Sequence, residues 1–97
     1  MRVIEKRTLR QFWERHPASE APLQVWYAMV KVADWRTPAD LRATFRSDDF
    51  VGDNRVIFDI LHNRYRLIAH IAYRHRAVLV KFVGTHAEYD RINPEDV

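Results

Sequence analysis

The stretch Arg55–Val83, RVIFDILHNRYRLIAHIAYRHRAVLVKFV, decides the fold. Its apolar residues recur with a period near two in three strand-length runs, Arg55–Leu61, Arg64–Tyr73 and Ala77–Val83. Each run is rich in Val, Ile, Leu, Phe and Tyr, residues that pack well on a pleated surface. Short polar turns at His62-Asn63 and Arg74-His75-Arg76 separate them, which predicts an antiparallel meander. Successive side chains on a strand point to opposite faces. Tyr65, Leu67, Ala69, Ile71 and Tyr73 therefore share one face, and Arg66, Ile68, His70, Ala72 and Arg74 the other. In the next run Val78, Val80 and Phe82 oppose Leu79, Lys81 and Val83. With the apolar faces buried under other elements, Arg66, His70 and Lys81 share the more open face.

Upstream, the period lengthens to that of a helix. Residues Met1–Glu5 read as a short strand, and Thr8 with Gln11 has the spacing of a capping box. Leu9, Phe12, Trp13 and His16 then fall on one helical face, and Pro17 closes the segment. Ser19 is placed to cap a second helix with Pro22 in its first turn and an apolar stripe of Leu23, Trp26, Tyr27 and Val30. These aromatics at helical spacing read as core. Thr37-Pro38 is a further cap and first turn, with Leu41 and Phe45 as anchors before a Ser47-Asp48-Asp49 loop. Downstream of the meander, Gly84 is expected to break the last strand. Thr85 with Glu88 repeats the capping-box spacing at the start of a short C-terminal helix.

This order, strand, helices, three strands, helix, predicts one α+β domain over residues 1–97. The N-terminal strand and helices pack on one face of an antiparallel sheet, and the other face stays partly open. A chain of 97 residues that is 47% hydrophobic and 12% aromatic has the composition of a folded domain with one core. No stretch is long and apolar enough for a membrane span, and the start of the chain has no signal-peptide core, so a cytoplasmic protein is expected. Without cysteine there is no disulfide, thiolate metal site or cysteine nucleophile.

The formal charge of +3 is unevenly spread. From Arg55 to His86 six bases, Arg55, Arg64, Arg66, Arg74, Arg76 and Lys81, stand against the single acid Asp59. From Ala87 onward Glu88, Asp90, Glu95 and Asp96 outweigh Arg91. Such a basic zone suggests a polyanion, and its arginines, which grip phosphate with two donors, make nucleic acid the first candidate. A solvated basic face without a partner is the plainer alternative. Within the zone Arg64, His70, Arg74 and Arg76 are the expected RNA-contacting residues.

Beyond Gly84, helical spacing brings His86, Tyr89 and Asp90 to one side. An imidazole, a phenol and a carboxylate thus gather at the end of the strand that carries Lys81. Each has a structural reading as well: Tyr89 as packing, His86 as an exposed first-turn residue, Asp90 as partner of Arg91 or Arg66. The histidines show no metal-ligand spacing, and two glycines make no phosphate-cradling loop, so neither metal nor cofactor is expected.

Three stretches carry a family resemblance: Val56-Ile57-Phe58-Asp59-Ile60, Asn63-Arg64-Tyr65-Arg66-Leu67-Ile68, and Val80-Lys81-Phe82-Val83-Gly84-Thr85-His86-Ala87-Glu88-Tyr89-Asp90. Together they resemble the HigB-type toxins of type II toxin–antitoxin systems, within the RelE superfamily. The resemblance covers most of the chain and is most specific from Gly84 to Asp90. It implies a RelE-like fold and a metal-independent mRNA endonuclease (mRNA interferase) acting on the ribosome. It also implies a helix-turn-helix antitoxin as partner. Position by position it points to Arg66, Lys81, His86, Tyr89 and Asp90 as catalytic, with Asn63 in a turn. The sequence departs from the pattern at Asp59, where Asn is usual, and at Lys81, commonly Arg. It departs again at Leu61-His62, which replaces a Lys-Gly type of turn. A noncatalytic RNA- or ribosome-binding module on the same fold is the second reading, and a protein-interaction subunit the third.

Overall fold

The computed structural model describes residues 1–46 and 49–97. Strands β1 (Arg2–Ile4), β2 (Asp49–Val51), β3 (Arg55–Ile60), β4 (Tyr65–Ala72) and β5 (Ala77–Thr85) form one sheet in the order β1-β5-β4-β3-β2. The meander β3–β4–β5 is antiparallel, as its alternation predicts. The N-terminal strand joins the sheet edge parallel to β5, Arg2 opposite Ala77, so the sheet is mixed. Of the expected Ser47-Asp48-Asp49 loop, Ser47 and Asp48 lie outside the described residues. Asp49 instead opens β2, paired antiparallel with β3.

Helices α1 (Lys6–Arg15), α2 (Glu20–Val32) and α3 (Pro38–Thr44) cover one face. Their buried residues Leu9, Phe12, Leu23, Trp26, Val30 and Leu41 meet Val56, Phe58, Leu67, Ala69, Ile71 and Val78 of the sheet. Edge-to-face aromatic pairs, Trp26–Phe58 at 5.3 Å and Phe45–Phe58 at 5.1 Å, lock the layers. Two of the three expected upstream caps are absent. Glu5, left-handed at φ 74°, turns β1 straight into α1, so Thr8 and Gln11 already lie inside the helix. Ser19 is buried and its Oγ donates to the His16 carbonyl at 2.7 Å, closing a 3₁₀ turn at Pro17–Ser19 rather than capping α2. Thr37 does cap α3: its Oγ1 accepts from the Asp40 amide at 3.3 Å, and Asp40 Oδ2 accepts from the Thr37 amide at 3.1 Å.

Two further expectations fail in β5. The strand does not stop at Gly84 but runs through it to Thr85, because Gly84 pairs with Arg66 and Thr85 with Tyr65. Between Ile68 and Ala69 the register shifts: Ile68 opposes Phe82 while Ala69 opposes Val80, leaving Lys81 as the extra residue of a β-bulge. Beyond the bulge the alternation inverts. Phe82, expected under the helices, lies with Ile68 on the opposite face, and Val83 turns in to pack on the core.

That opposite face is also less open than expected. Ile57 and Ile68, which alternate onto it, are 4% and 0% exposed. After β5 the chain forms α4 (His86–Tyr89) and returns towards β3, where Arg55 Nη2 donates to the main-chain oxygen of Val97 at 2.6 Å. Arg55, counted in the basic zone, is therefore a structural group: it is 9% exposed and its Nη1 also contacts Asp53 at 2.7 Å. Among the described residues no helix is long and apolar enough to cross a membrane.

Candidate active site at the junction of β4, β5 and α4

Arg66 is the hub. Directly opposite Asp59 in the β3–β4 register, its Nε lies 3.0 Å from Asp59 Oδ1 and 2.7 Å from Asn63 Oδ1. Asn63 reaches it because the β3–β4 turn holds Leu61, His62 and Asn63 in succession in the left-handed region, φ 54°, 53° and 79°. With Nε tied down on both oxygens, the guanidinium plane is fixed over the Tyr89 ring, 4.8 Å from its centroid. The arginine side chain is 16% exposed.

Tyr89 is placed by α4, and α4 by its cap. Thr85 Oγ1 accepts from the Glu88 amide at 3.2 Å and Glu88 Oε1 accepts from the Thr85 amide at 2.8 Å, the box expected from the sequence. The Thr85 amide, with the nearby Arg15 and His16 charges adding less, holds the Glu88 carboxyl below its ordinary range. Across the same turn, His86 Nδ1 lies 3.2 Å from Asp90 Oδ2, both side chains about half exposed. With Asp90 accepting from Nδ1–H, the Nε2 lone pair is left facing solvent, the tautomer a general base needs.

The predicted residues divide accordingly. Arg66 and Tyr89 are in contact, and His86 and Asp90 form a pair across the same turn of α4 that carries Tyr89. Lys81, exposed at the bulge, lies three residues along β5 from Gly84, about 10 Å away at strand rise. His70 is half-buried on the same face, four residues beyond Arg66. Arg64 sits in the turn with its guanidinium 5.6 Å from the Tyr65 ring. Arg74 and Arg76 belong to the β4–β5 turn at the opposite end of the strand, outside this site.

Two members went unnoticed. Asp59 stood out only as a departure and a lone acid; its place opposite Arg66 follows from the strand register. Phe82, half-exposed beside Gly84, lies on the face opposite to the one its alternation predicts, because the bulge leaves no mark in an apolar run.

The α+β fold, with an arginine-phenol pair and an imidazole-carboxylate pair on a capped C-terminal turn, agrees with the RelE-like class of small toxins that the sequence resembles. The family model described as HigB_toxin, the RelE-like toxic component of a toxin–antitoxin system, matches residues 19–92, and the chain belongs to that family. It is similar to "mRNA interferase HigB" of Escherichia coli O6:H1, with 30% identity over 95% of this chain and 91% of that protein. It is also similar to "mRNA interferase toxin HigB" of E. coli K12 and "mRNA interferase HigB" of Shigella flexneri. Both are 26% identical over 93% of this chain and 88% of theirs.

Proposed function

We propose that the chain is an mRNA interferase: an endoribonuclease that cleaves messenger RNA on the ribosome and is neutralised by a helix-turn-helix antitoxin. The observation that carries this reading is the Arg66 guanidinium over Tyr89, on the same helical turn that the His86–Asp90 pair spans. Cleaving RNA by internal attack requires three things: a base for the 2′-hydroxyl proton, positive charge for the extra negative charge on the phosphorane-like transition state, and a proton for the departing 5′-oxygen.

On this reading the roles are assigned by position. His86 Nε2, oriented by Asp90, takes the 2′-hydroxyl proton as the 2′-oxygen bonds to phosphorus. Arg66 carries the charge of the equatorial oxygens through its Nη donors, its Nε being already engaged. Tyr89, held by Arg66, orients the phosphate and hands a proton to the 5′-oxygen as the P–O5′ bond breaks. Lys81, farther along β5, takes a neighbouring phosphate as a point charge. The products are a 2′,3′-cyclic phosphate and a 5′-hydroxyl, and no step calls for a metal.

Purified protein added to translating ribosomes, with RNA ends mapped chemically, tests the reading. The expected result is a cyclic phosphate on the upstream fragment and severe loss in His86→Ala. Arg66→Ala and Lys81→Ala lower the rate, for Arg66 by about a hundredfold, while melting near wild type. A 5′-phosphate on the downstream fragment, or wild-type cleavage by His86→Ala, overturns the assignment.

A further inference from the structure

At the end of the sheet far from α4, arginines converge that the cleavage site does not use. Arg36, from the α2–α3 connection, and Tyr73, Arg74 and Arg76, from the β4–β5 turn, line a solvent-open depression of about 260 Å³. The acid beside them, Asp34, is shared: Oδ1 lies 3.3 Å from Arg76 and Oδ2 lies 3.6 Å from Arg36, all three side chains at least half exposed. Among the described residues Arg74 forms no ion pair. Exposed pairs of this kind contribute little and yield readily to a competing anion. The turn itself is held from two sides: the Arg76 amide donates to the Tyr73 carbonyl at 3.2 Å, and the Arg76 carbonyl accepts from the Arg2 amide at 2.7 Å. Burial pushes the Tyr73 phenol up, so it remains a donor at neutral pH.

We propose that Arg36, Arg74 and Arg76 form a second phosphate-binding site that grips the RNA backbone away from the cleavage centre. The proposal rests on the reading of the chain as an RNA-cleaving toxin. Arg66 and the β4–β5 turn lie at opposite ends of β4, six residues from Arg66 to Ala72, about 20 Å at strand rise. A strand of several nucleotides spans that distance. The lining is three guanidiniums and a phenol, with none of the apolar centre of a protein interface. Guanidinium forks match the paired oxygens of a phosphodiester. RNA is therefore favoured over an acidic protein partner.

Fluorescence anisotropy of the full chain with labelled 2′-O-methyl RNA measures binding apart from cleavage, because the attacking hydroxyl is blocked. Two lengths are compared, about 4 and about 12 nucleotides, within the range of known single-strand sites. The triple variant Arg36→Ala, Arg74→Ala, Arg76→Ala is expected to bind the longer RNA roughly tenfold more weakly. Its log–log salt slope should be shallower by about 2, at about 0.7 per lost phosphate contact. Affinity for the shorter RNA should hold. Asp34→Asn, which releases Arg36 and Arg76, should bind the longer RNA about two- to fivefold more tightly. Removing three cations from α1, at Lys6, Arg7 and Arg10, controls for net charge and should change affinity less than twofold. An unchanged affinity and slope in the Arg triple variant overturns the proposal. An equal loss in the α1 variant overturns it too. Failure of the cleavage reading would appear instead as missing cyclic phosphate ends with this binding intact.

Discussion

Gly84 lies beneath the ring of Phe82: a Cβ built on Gly84 would sit 2.5 Å from Phe82 Cζ and 3.2 Å from Glu88 Cβ. The strand thus passes through Gly84 with a bare backbone so that an aromatic ring and the first turn of α4 can both close over it.

Gly84→Ala is accordingly expected to displace the Phe82 ring and lift α4, costing about 1–3 kcal/mol of stability and lowering cleavage more than tenfold. Phe82→Ala removes the nearer clash, so the double variant should be less impaired than the two single effects combined. Thermal melts and cleavage rates on the four proteins of the cycle measure that coupling. Strict additivity would mean that the ring and the glycine act independently.

Asp59 and Asn63 together aim Arg66, which makes the carboxylate at position 59 a positioning group rather than a charge the reaction needs. Asp59→Asn keeps an oxygen for Arg66 Nε and leaves the guanidinium charge less neutralised; cleavage should stay within about threefold of wild type. Asp59→Ala leaves Nε held by Asn63 alone and should cost about tenfold, chiefly in kcat. Arg66→Lys should not rescue activity, since an ammonium cannot hold Asp59 and Asn63 while facing the phosphate. Steady-state kinetics separate these cases.

The cap of α4 gives stability a pH signature. The Glu88 carboxyl titrates below its ordinary value of 4.5, so its contribution is present above that value and is lost as the pH falls through the lower, folded one. Glu88→Gln should therefore melt below wild type at pH 7, and the two curves should converge as the pH drops below about 4. A constant gap from pH 7 to pH 3 would mean that the charge of Glu88 plays no part in the cap.

Arg55 separates structure from binding. Because its guanidinium is buried between Asp53 and the main-chain oxygen of Val97, Arg55→Ala should lower stability by roughly 1–3 kcal/mol. The salt dependence of RNA binding should not change, which denaturation and anisotropy measured side by side will show.

The sequence exposed the meander and the helical faces because their periods differ and their turns are marked by polar residues. The α4 cap was legible for the same reason: Thr85 and Glu88 act within four residues of each other. What escaped was non-local. The stretch Leu79-Val80-Lys81-Phe82-Val83 reads equally well in either phase, so nothing in it marks the inversion at the bulge that carries Phe82 across the sheet. Arg55 looks like any surface base until the C-terminal segment folds back on it. The register that sets Asp59 against Arg66 depends on a turn of three left-handed residues with no glycine among them. Arg74 and Arg76 share a charge pattern with Arg66, yet the length of β4 puts them at the other end of the molecule.

The parallel edge pairing of β1 with β5 joins Arg2 to Ala77, partners 75 residues apart. Contacts of such long sequence separation require a large loop to close and are among the slowest to form. While the chain is being synthesised, β1 has no strand to pair with until β5 emerges, and β5 leads directly into the turn that bears His86, Tyr89 and Asp90. The strand that completes the sheet edge and the turn proposed to carry the cleavage residues are therefore synthesised one directly after the other, behind every other strand of the sheet.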